Sequence, residues 1–204
     1  MKVGILGGGQ LGRMLLQAAA NYPVETYVLE NEEDCPAAHL CHHFSQGDIK
    51  SFEAVYAFGT GLDAITIEIE NVNAEALEQL EKEGVKIFPR PSVLKTIKNK
   101  IRQKEYYRHH DIPTADFFVT ENKKETLSHE QFLPAIHKLG EGGYDGRGVR
   151  ILNAVADFED AFDAPSVLEK KVRIKKEISL LVAINERGET AIYPPVEMIF
   201  DKDL

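Results

Sequence analysis

The chain has 204 residues, with 24 Lys plus Arg against 33 Asp plus Glu, giving a net charge of −9. It is long enough to bury a substantial core and too acidic for a nucleic-acid backbone to be the expected partner. Two cysteines, Cys35 and Cys41, do not make a disulfide framework, and no long uncharged apolar run suggests a membrane span, so a cytoplasmic protein with small-molecule partners is expected.

Residues 2–6 form a β-rich run that meets Gly7-Gly8-Gly9-Gln10-Leu11-Gly12 at once, leaving no room for a signal peptide, and the helix-forming run 15–20 follows. This predicts strand, glycine turn, helix. Gly7, Gly9 and Gly12 satisfy G-x-G-x-x-G, and Glu30 closes the next predicted strand, 26–29, where a dinucleotide fold carries its ribose-binding acid. A nicotinamide dehydrogenase is therefore one reading of the front of the chain. Cys35, His39, Cys41, His42 and His43 lie close together but lack the paired spacings of structural zinc. The plainer expectation is a short helix from Pro36 and then a loop ending at Gly47-Asp48.

A helix is expected over 52–58, then a strand over 64–72 whose alternation sets Ile65, Ile67 and Ile69 against Thr66, Glu68 and Glu70. Two carboxylates at the C-terminal edge of a parallel sheet are well placed for a ligand rich in donors. An amphipathic helix over 74–83 stops at Gly84, and 85–88 is a further strand, completing a small doubly wound parallel domain. Ser92 is the expected cap of a helix bearing Lys95, Lys98, Lys100, Arg102 and Lys104, a basic surface on an acidic protein. His109 to Pro113 ends it.

From residue 117 the pattern becomes α+β: strand, helix, a strand over 132–136, a glycine-rich segment, a strand over 148–152, a helix, and strands over 167–169, 177–185 and 190–198. Asn185-Glu186-Arg187-Gly188 is a hairpin signal. The segment 138–148 holds five glycines with Lys138, Asp145 and Arg147. Because it joins two strands and lacks Gly-Lys-Ser/Thr, it reads as a flap able to bring backbone N–H groups to a phosphate, not as a Walker loop. The α+β unit has few elements to cover its sheet, so the chain reads as part of a longer protein.

Taken together, 7–14, Thr66-Ile67-Glu68-Ile69-Glu70-Asn71-Val72 and the Gly-Gly-Tyr-Asp-Gly-Arg-Gly flap resemble the N5-carboxyaminoimidazole ribonucleotide synthetases, ATP-grasp carboxylases of purine biosynthesis. The resemblance runs through the whole chain. It implies an α/β fold with a Rossmann-like preATP-grasp domain (1–90), a helical connection (91–115), a small α+β lid domain (116–185) and the start of a C-terminal ATP-grasp domain (186–204) whose remainder is absent. It also implies a homodimer, ATP with Mg²⁺, bicarbonate, and 5-aminoimidazole ribonucleotide as the acceptor of a carboxyl group delivered from carboxyphosphate.

By the same resemblance Lys100 and Lys138 contact phosphates, with the backbone of Gly143, Gly146 and Gly148 over the β- and γ-phosphates. Glu169, Lys170 and Val172 form the adenine hinge and Glu177 binds the ribose hydroxyls. Tyr144, Asp145 and Arg147 are the catalytic group, holding bicarbonate and carboxyphosphate beside the nucleotide, and Gln10, Leu11, Glu68 and Glu70 receive the ribonucleotide. Phe200 departs from the family, many members of which carry a histidine there, and the sequence stops before the acidic Mg²⁺ ligands, so no metal ligand is assigned. The rivals are a formate-dependent glycinamide ribonucleotide transformylase, whose flap lacks Tyr-Asp, the dehydrogenase, and a non-catalytic nucleotide-binding module.

Overall fold

In the computed structural model, which describes residues 1–143 and 148–199, the first half is a five-stranded parallel sheet. Its strands are β1 (Lys2–Leu6), β2 (Glu25–Glu30), β3 (His43–Gln46), β4 (Ala64–Ile67) and β5 (Lys86–Phe88), in the order β3-β2-β1-β4-β5. The chain runs outward through β2 and β3 and returns to the other side of β1. The crevice beyond the C-terminal ends of β1 and β4 is therefore the switch point where open α/β sheets take ligands.

Helix α1 (Gln10–Ala19) covers one face through Leu16, which packs with Ile5 and Val28. The other face is filled by α2 (Phe52–Gly59) and α3 (Ala74–Lys82), whose Val55, Leu77 and Leu80 pack on Leu6, Leu29 and Ile65. Asn73 starts α3 by accepting the Ala76 N–H, which satisfies one of the donors left open at a helix start.

Three expectations for this half are corrected. The 64–72 strand ends at Ile67, where its pairing with β1 stops at Leu6, one residue after its pairing with β5 has stopped, and Glu68 and Glu70 stand in the loop beyond. Residues 43–46 form an edge strand where a loop was expected, and no helix forms from Pro36. The basic helix is two helices, α4 (Pro91–Lys98) and α5 (Lys100–His109); Asn99 breaks them and caps the second, while Ser92 lies inside the first.

The second half is a four-stranded sheet in the order β6-β9-β7-β8, all antiparallel, from β6 (Phe117–Thr120), β7 (Ala135–Leu139), β8 (Val149–Leu152) and β9 (Ser166–Lys170). Short helix α6 (Lys123–Leu127) and two 3-10 turns close one face over Leu152, Phe158 and Leu168. The strand expected at 132–136 starts at Ala135 instead, since Phe132 belongs to one of those turns.

Each strand expected over 177–198 is broken in two. β10 (Glu177–Ser179) pairs with β13 (Val196–Met198), and β11 (Val182–Ile184) pairs with β12 (Thr190–Ile192) around the Asn185–Gly188 turn. Pro194 and Pro195, which lack the N–H a ladder needs, separate β12 from β13.

Candidate functional site

The first glycine turn is occupied by the protein's own carboxylates. The Gly8 N–H donates to Glu30 Oε2 at 2.9 Å, and Glu30 Oε1 accepts the Asn31 N–H at 2.6 Å. From the other side, the Glu68 backbone N–H donates to the Leu6 carbonyl at 2.8 Å, which folds its side chain over the turn. A Cβ on Gly7 would stand 2.8 Å from Glu68 Oε2, and one on Gly9 2.7 Å from Oε1. These glycines make room for a carboxylate. That arrangement counts against the dehydrogenase reading, because Glu30 is spent on the turn and a pyrophosphate would meet two negative groups. Gln10 and Leu11 open α1 beside this turn, both exposed, and offer a surface to a ligand in the crevice.

The second glycine segment is held to the first half by α5. The Lys100 N–H donates to the Gly140 carbonyl at 2.8 Å, and the Asn99 side-chain amide donates to Glu141 at 2.7 Å. At the neck of the flap the two strands touch through their backbones, since a Cβ on Gly143 would lie 2.7 Å from Gly148 Cα. A cavity of about 100 Å³ between the halves is lined by Glu70, Asn71, Lys98, Lys100, Gly142 and Gly143. Beside it, a cavity of about 310 Å³ carries Lys95, Lys98, Arg102, Glu75 and Glu141. A further cavity of about 570 Å³ lies between β1, β4 and β5 and the turn at 185–189, with Val3, Ile65, Lys86 and Glu186 in its wall.

On the sheet face turned to α5, alternation places Lys138 and Glu169 side by side, while His137 points to the opposite face. Glu169 is 8% exposed and bonded at both oxygens, to Lys138 Nζ at 2.6 Å and to Lys104 Nζ at 2.7 Å. Burial pushes its carboxyl up, and the two ammonium groups outweigh that, holding it below the usual carboxylate value. Lys104 also meets Thr114 Oγ1 and lies 5.4 Å from the centre of the Phe117 ring. Sequence alone places Lys104 on the basic surface of a helix. The available signal was its spacing, three residues after Ile101, which packs against Gly140.

Lys170 is anchored elsewhere. Its ammonium donates to the Phe132 and Leu133 carbonyls and its N–H to the Asp116 carbonyl at 2.8 Å, so only its own carbonyl is left for a hinge. Val172 follows, exposed, with no backbone partner for its N–H among the described residues. Glu177 begins β10, exposed, and is not brought against the Lys138–Glu169 pair. Tyr144, Asp145, Gly146, Arg147 and Phe200 lie outside the described residues. The structure thus gathers Gln10, Leu11 and Glu68 at the switch point, Glu70, Lys100 and Gly143 round one cavity, and Lys138 with Glu169 on the lid.

The histidine-cysteine cluster is dispersed into local bonds: His42 Nδ1 to Thr26 Oγ1 at 2.8 Å, His43 to Glu25 at 2.7 Å, and Cys41 to the Ala38 carbonyl. Among the described residues no group of three or more His, Cys, Asp or Glu side chains is placed to hold a metal. Nor is any helix among them long and apolar enough to cross a membrane.

A family model for the ribonucleotide synthetase preATP-grasp domain matches residues 1–98, and one for the ATP-grasp domain matches residues 105–204. The N5-carboxyaminoimidazole ribonucleotide synthase of Saccharolobus solfataricus is 36% identical over 201 residues, a match covering 95% of this chain and 53% of that protein. Among solved structures, carboxyaminoimidazole ribonucleotide synthase from Aspergillus clavatus complexed with ATP is 35% identical with a TM-score of 0.88, covering 98% of this chain and 54% of that one. The same organism's N5-carboxyaminoimidazole synthase in complex with ADP and 5-aminoimidazole ribonucleotide is 32% identical with a TM-score of 0.85, covering 100% of this chain and 55% of that one. The chain spans about half the length of these three proteins.

Proposed function

The chain belongs to the ATP-grasp family of N5-carboxyaminoimidazole ribonucleotide synthetases, and on that premise we propose that its protein carboxylates 5-aminoimidazole ribonucleotide at the expense of ATP in purine biosynthesis. Bicarbonate oxygen attacks the γ-phosphorus, ADP leaves, and carboxyphosphate forms. The exocyclic amine then attacks the carboxyphosphate carbon and inorganic phosphate departs. Phosphoryl transfer of this kind needs cations and a dry enclosure more than a covalent residue.

The observation that carries the reading is the Lys138–Glu169 pair on the lid face, 2.6 Å apart, beside a flap neck that is tied to Lys100. Lys138 and Lys100 meet the phosphates under the backbone of Gly143, Gly146 and Gly148. The hinge carbonyl of Lys170 and the N–H of Val172 supply the alternating acceptor and donor that an adenine edge requires, with Glu169 beneath and Glu177 for the ribose. Tyr144, Asp145 and Arg147 keep their role on the motif alone, Arg147 offering a planar fork to an anion. Gln10, Leu11, Glu68 and Glu70 take the ribonucleotide, whose amine is a donor that the Glu68 carboxylate can accept. The acidic Mg²⁺ ligands that the resemblance implies do not correspond to any group among the described residues, so no step is assigned to the metal.

We further propose a cytoplasmic homodimer without nucleic-acid or membrane partners, with the domain plan 1–90, 91–115, 116–185 and 186–204. The test is ATP hydrolysis by the intact protein, expected only when bicarbonate and 5-aminoimidazole ribonucleotide are both present. Hydrolysis driven by formate with glycinamide ribonucleotide would assign it to the transformylase instead. Asp145→Asn should depress carboxylation far more than ATP binding, and equal losses would remove Asp145 from the reacting group.

A further inference from the structure

Glu169 holds two ammonium groups that are anchored very differently. Lys104 is 8% exposed, and apart from Glu169 Oε1 it is held by the Thr114 hydroxyl and the face of the Phe117 ring. Those partners come from three separate elements, β9, the 110–116 loop and β6. Lys138 has only Glu169 Oε2 among the described residues, and its side chain is 29% exposed against 10% for Lys104. One lysine is built in and the other is parked.

The difference matters when a phosphate arrives. A buried carboxylate left with no cation is strongly unfavourable, whereas one that keeps a hydrogen-bonded ammonium is not. With Lys104 alone, Glu169 would remain neutralised and Lys138 could swing out through its exposed side. Without Lys104, Lys138 would be the sole counter-charge of the carboxylate and would be held back from the ligand.

Resting on the nucleotide reading above, we propose that Lys104 is a positioning residue that keeps Glu169 compensated so that Lys138 can move from it to a nucleotide phosphate. Lys104 touches no phosphate itself. Its effect therefore depends on the phosphates of the ligand and on the presence of Lys138, neither of which a general packing role would require. The depressed carboxyl of Glu169 agrees with an ion pair retained through the exchange.

The experiment measures calorimetric affinities of the intact protein for ATP and for adenosine. Lys104→Gln keeps a donor for Glu169 and Thr114 while removing the charge. It should weaken ATP by about tenfold, given the part-exposed pair, and change adenosine by less than about twofold. In a Glu169→Gln background no buried carboxylate is left to compensate, so the same substitution should have no further effect on ATP, the mark of action through the Glu169–Lys138 pair. Parallel losses for ATP and adenosine would make Lys104 merely structural and overturn the proposal, as would unchanged ATP affinity. Should Lys104→Gln fail to fold, Thr114→Val loosens Lys104 with the charge retained and should weaken ATP about two- to threefold with adenosine unchanged; no loss of ATP affinity there also overturns it. A wild type that binds neither ligand refutes the nucleotide reading itself, whereas a wild type that binds ATP and a Lys104→Gln that binds it equally refutes only the role of Lys104.

Discussion

In the parallel sheet the buried strand side chains are Ile5, Leu6, Val28, Leu29, Ile65 and Ile87, with Thr26 polar among them and no charged side chain of its strands fully buried. The antiparallel sheet instead buries His137, Glu169, Thr120 and Ser166, and the helix lying on it buries Lys104. An apolar core is indifferent to pH and to ligands, so the first half can serve as a rigid platform. Buried polar groups respond to protonation and to nearby charge, which ties the stability of the second half to its chemistry. A lid that senses its ligand is built more readily from the second kind of core.

The largest expected difference between the two halves is in acid. His137 is 0% exposed, its Nδ1 accepts the Phe162 N–H at 3.4 Å, and its Nε2 is buried without a partner among the described residues. Burial lowers its pKa from 6.5 to about 4. The unfolded chain therefore binds this proton first as pH falls, so the stability due to the neutral ring is complete above about 6.5 and is lost progressively toward about 4, some 3 kcal/mol in all. Roughly 2 kcal/mol of that should be gone between pH 7 and pH 5. Urea midpoints monitored on the lid should fall accordingly in the wild type, and His137→Met should flatten the fall. A lid as acid-resistant as the parallel sheet would erase the distinction drawn above.

The two glycine segments differ in the same spirit. The sequence presents the first as a dinucleotide-type turn and the second as a phosphate flap, yet at the first the glycines admit carboxylates and at the second they let backbone touch backbone. A methyl group on Gly148 would be driven into Gly143, and neither atom is the end of a flexible side chain. Gly148→Ala should thus cost about 2 kcal/mol and splay the flap neck. Amide hydrogen exchange at Leu139, whose N–H donates to the Gly148 carbonyl at 2.9 Å, would report it. Protection of Leu139 equal to wild type would mean that the neck is looser than its geometry.

Much of this was legible beforehand because local pattern and tertiary role agreed. Strands β1 and β2, helix α3 with its Gly84 stop, and the antiparallel flap all announce themselves by alternation, helical spacing or glycine. What was not legible depends on partners far along the chain. Strand β3 is a polar edge strand, His-Phe-Ser-Gln, with no apolar alternation to betray it. The run through Glu68 and Glu70 alternates correctly, but the ladders to β5 and β1 stop at Thr66 and Ile67. Lys104 sits on a helix rich in polar residues, and Glu169 on β9, with Thr114 and the Phe117 ring, explains why that lysine is inside. The disposition of Glu30 was half read: its place at the end of β2 was evident, and its bond to the turn was not.

That bond supports the smallest prediction and the most discriminating one between the front and the back of the molecule. Glu30 accepts from Gly8 and Asn31 with both oxygens, at a site open enough that water can replace part of what is lost. Glu30→Gln keeps one acceptor oxygen but turns an amide N–H toward a backbone donor and removes the charge assistance. The expected loss is under about 1 kcal/mol of stability, read from a thermal or urea midpoint. Because the carboxylate is already committed to the turn, neither the wild type nor this variant should enhance NADH fluorescence. If the wild type did so and Glu30→Gln did not, the carboxylate would have to leave Gly8 for a ribose. The first glycine turn would then be the responsive element and the rigid-platform account of the parallel half would be inverted.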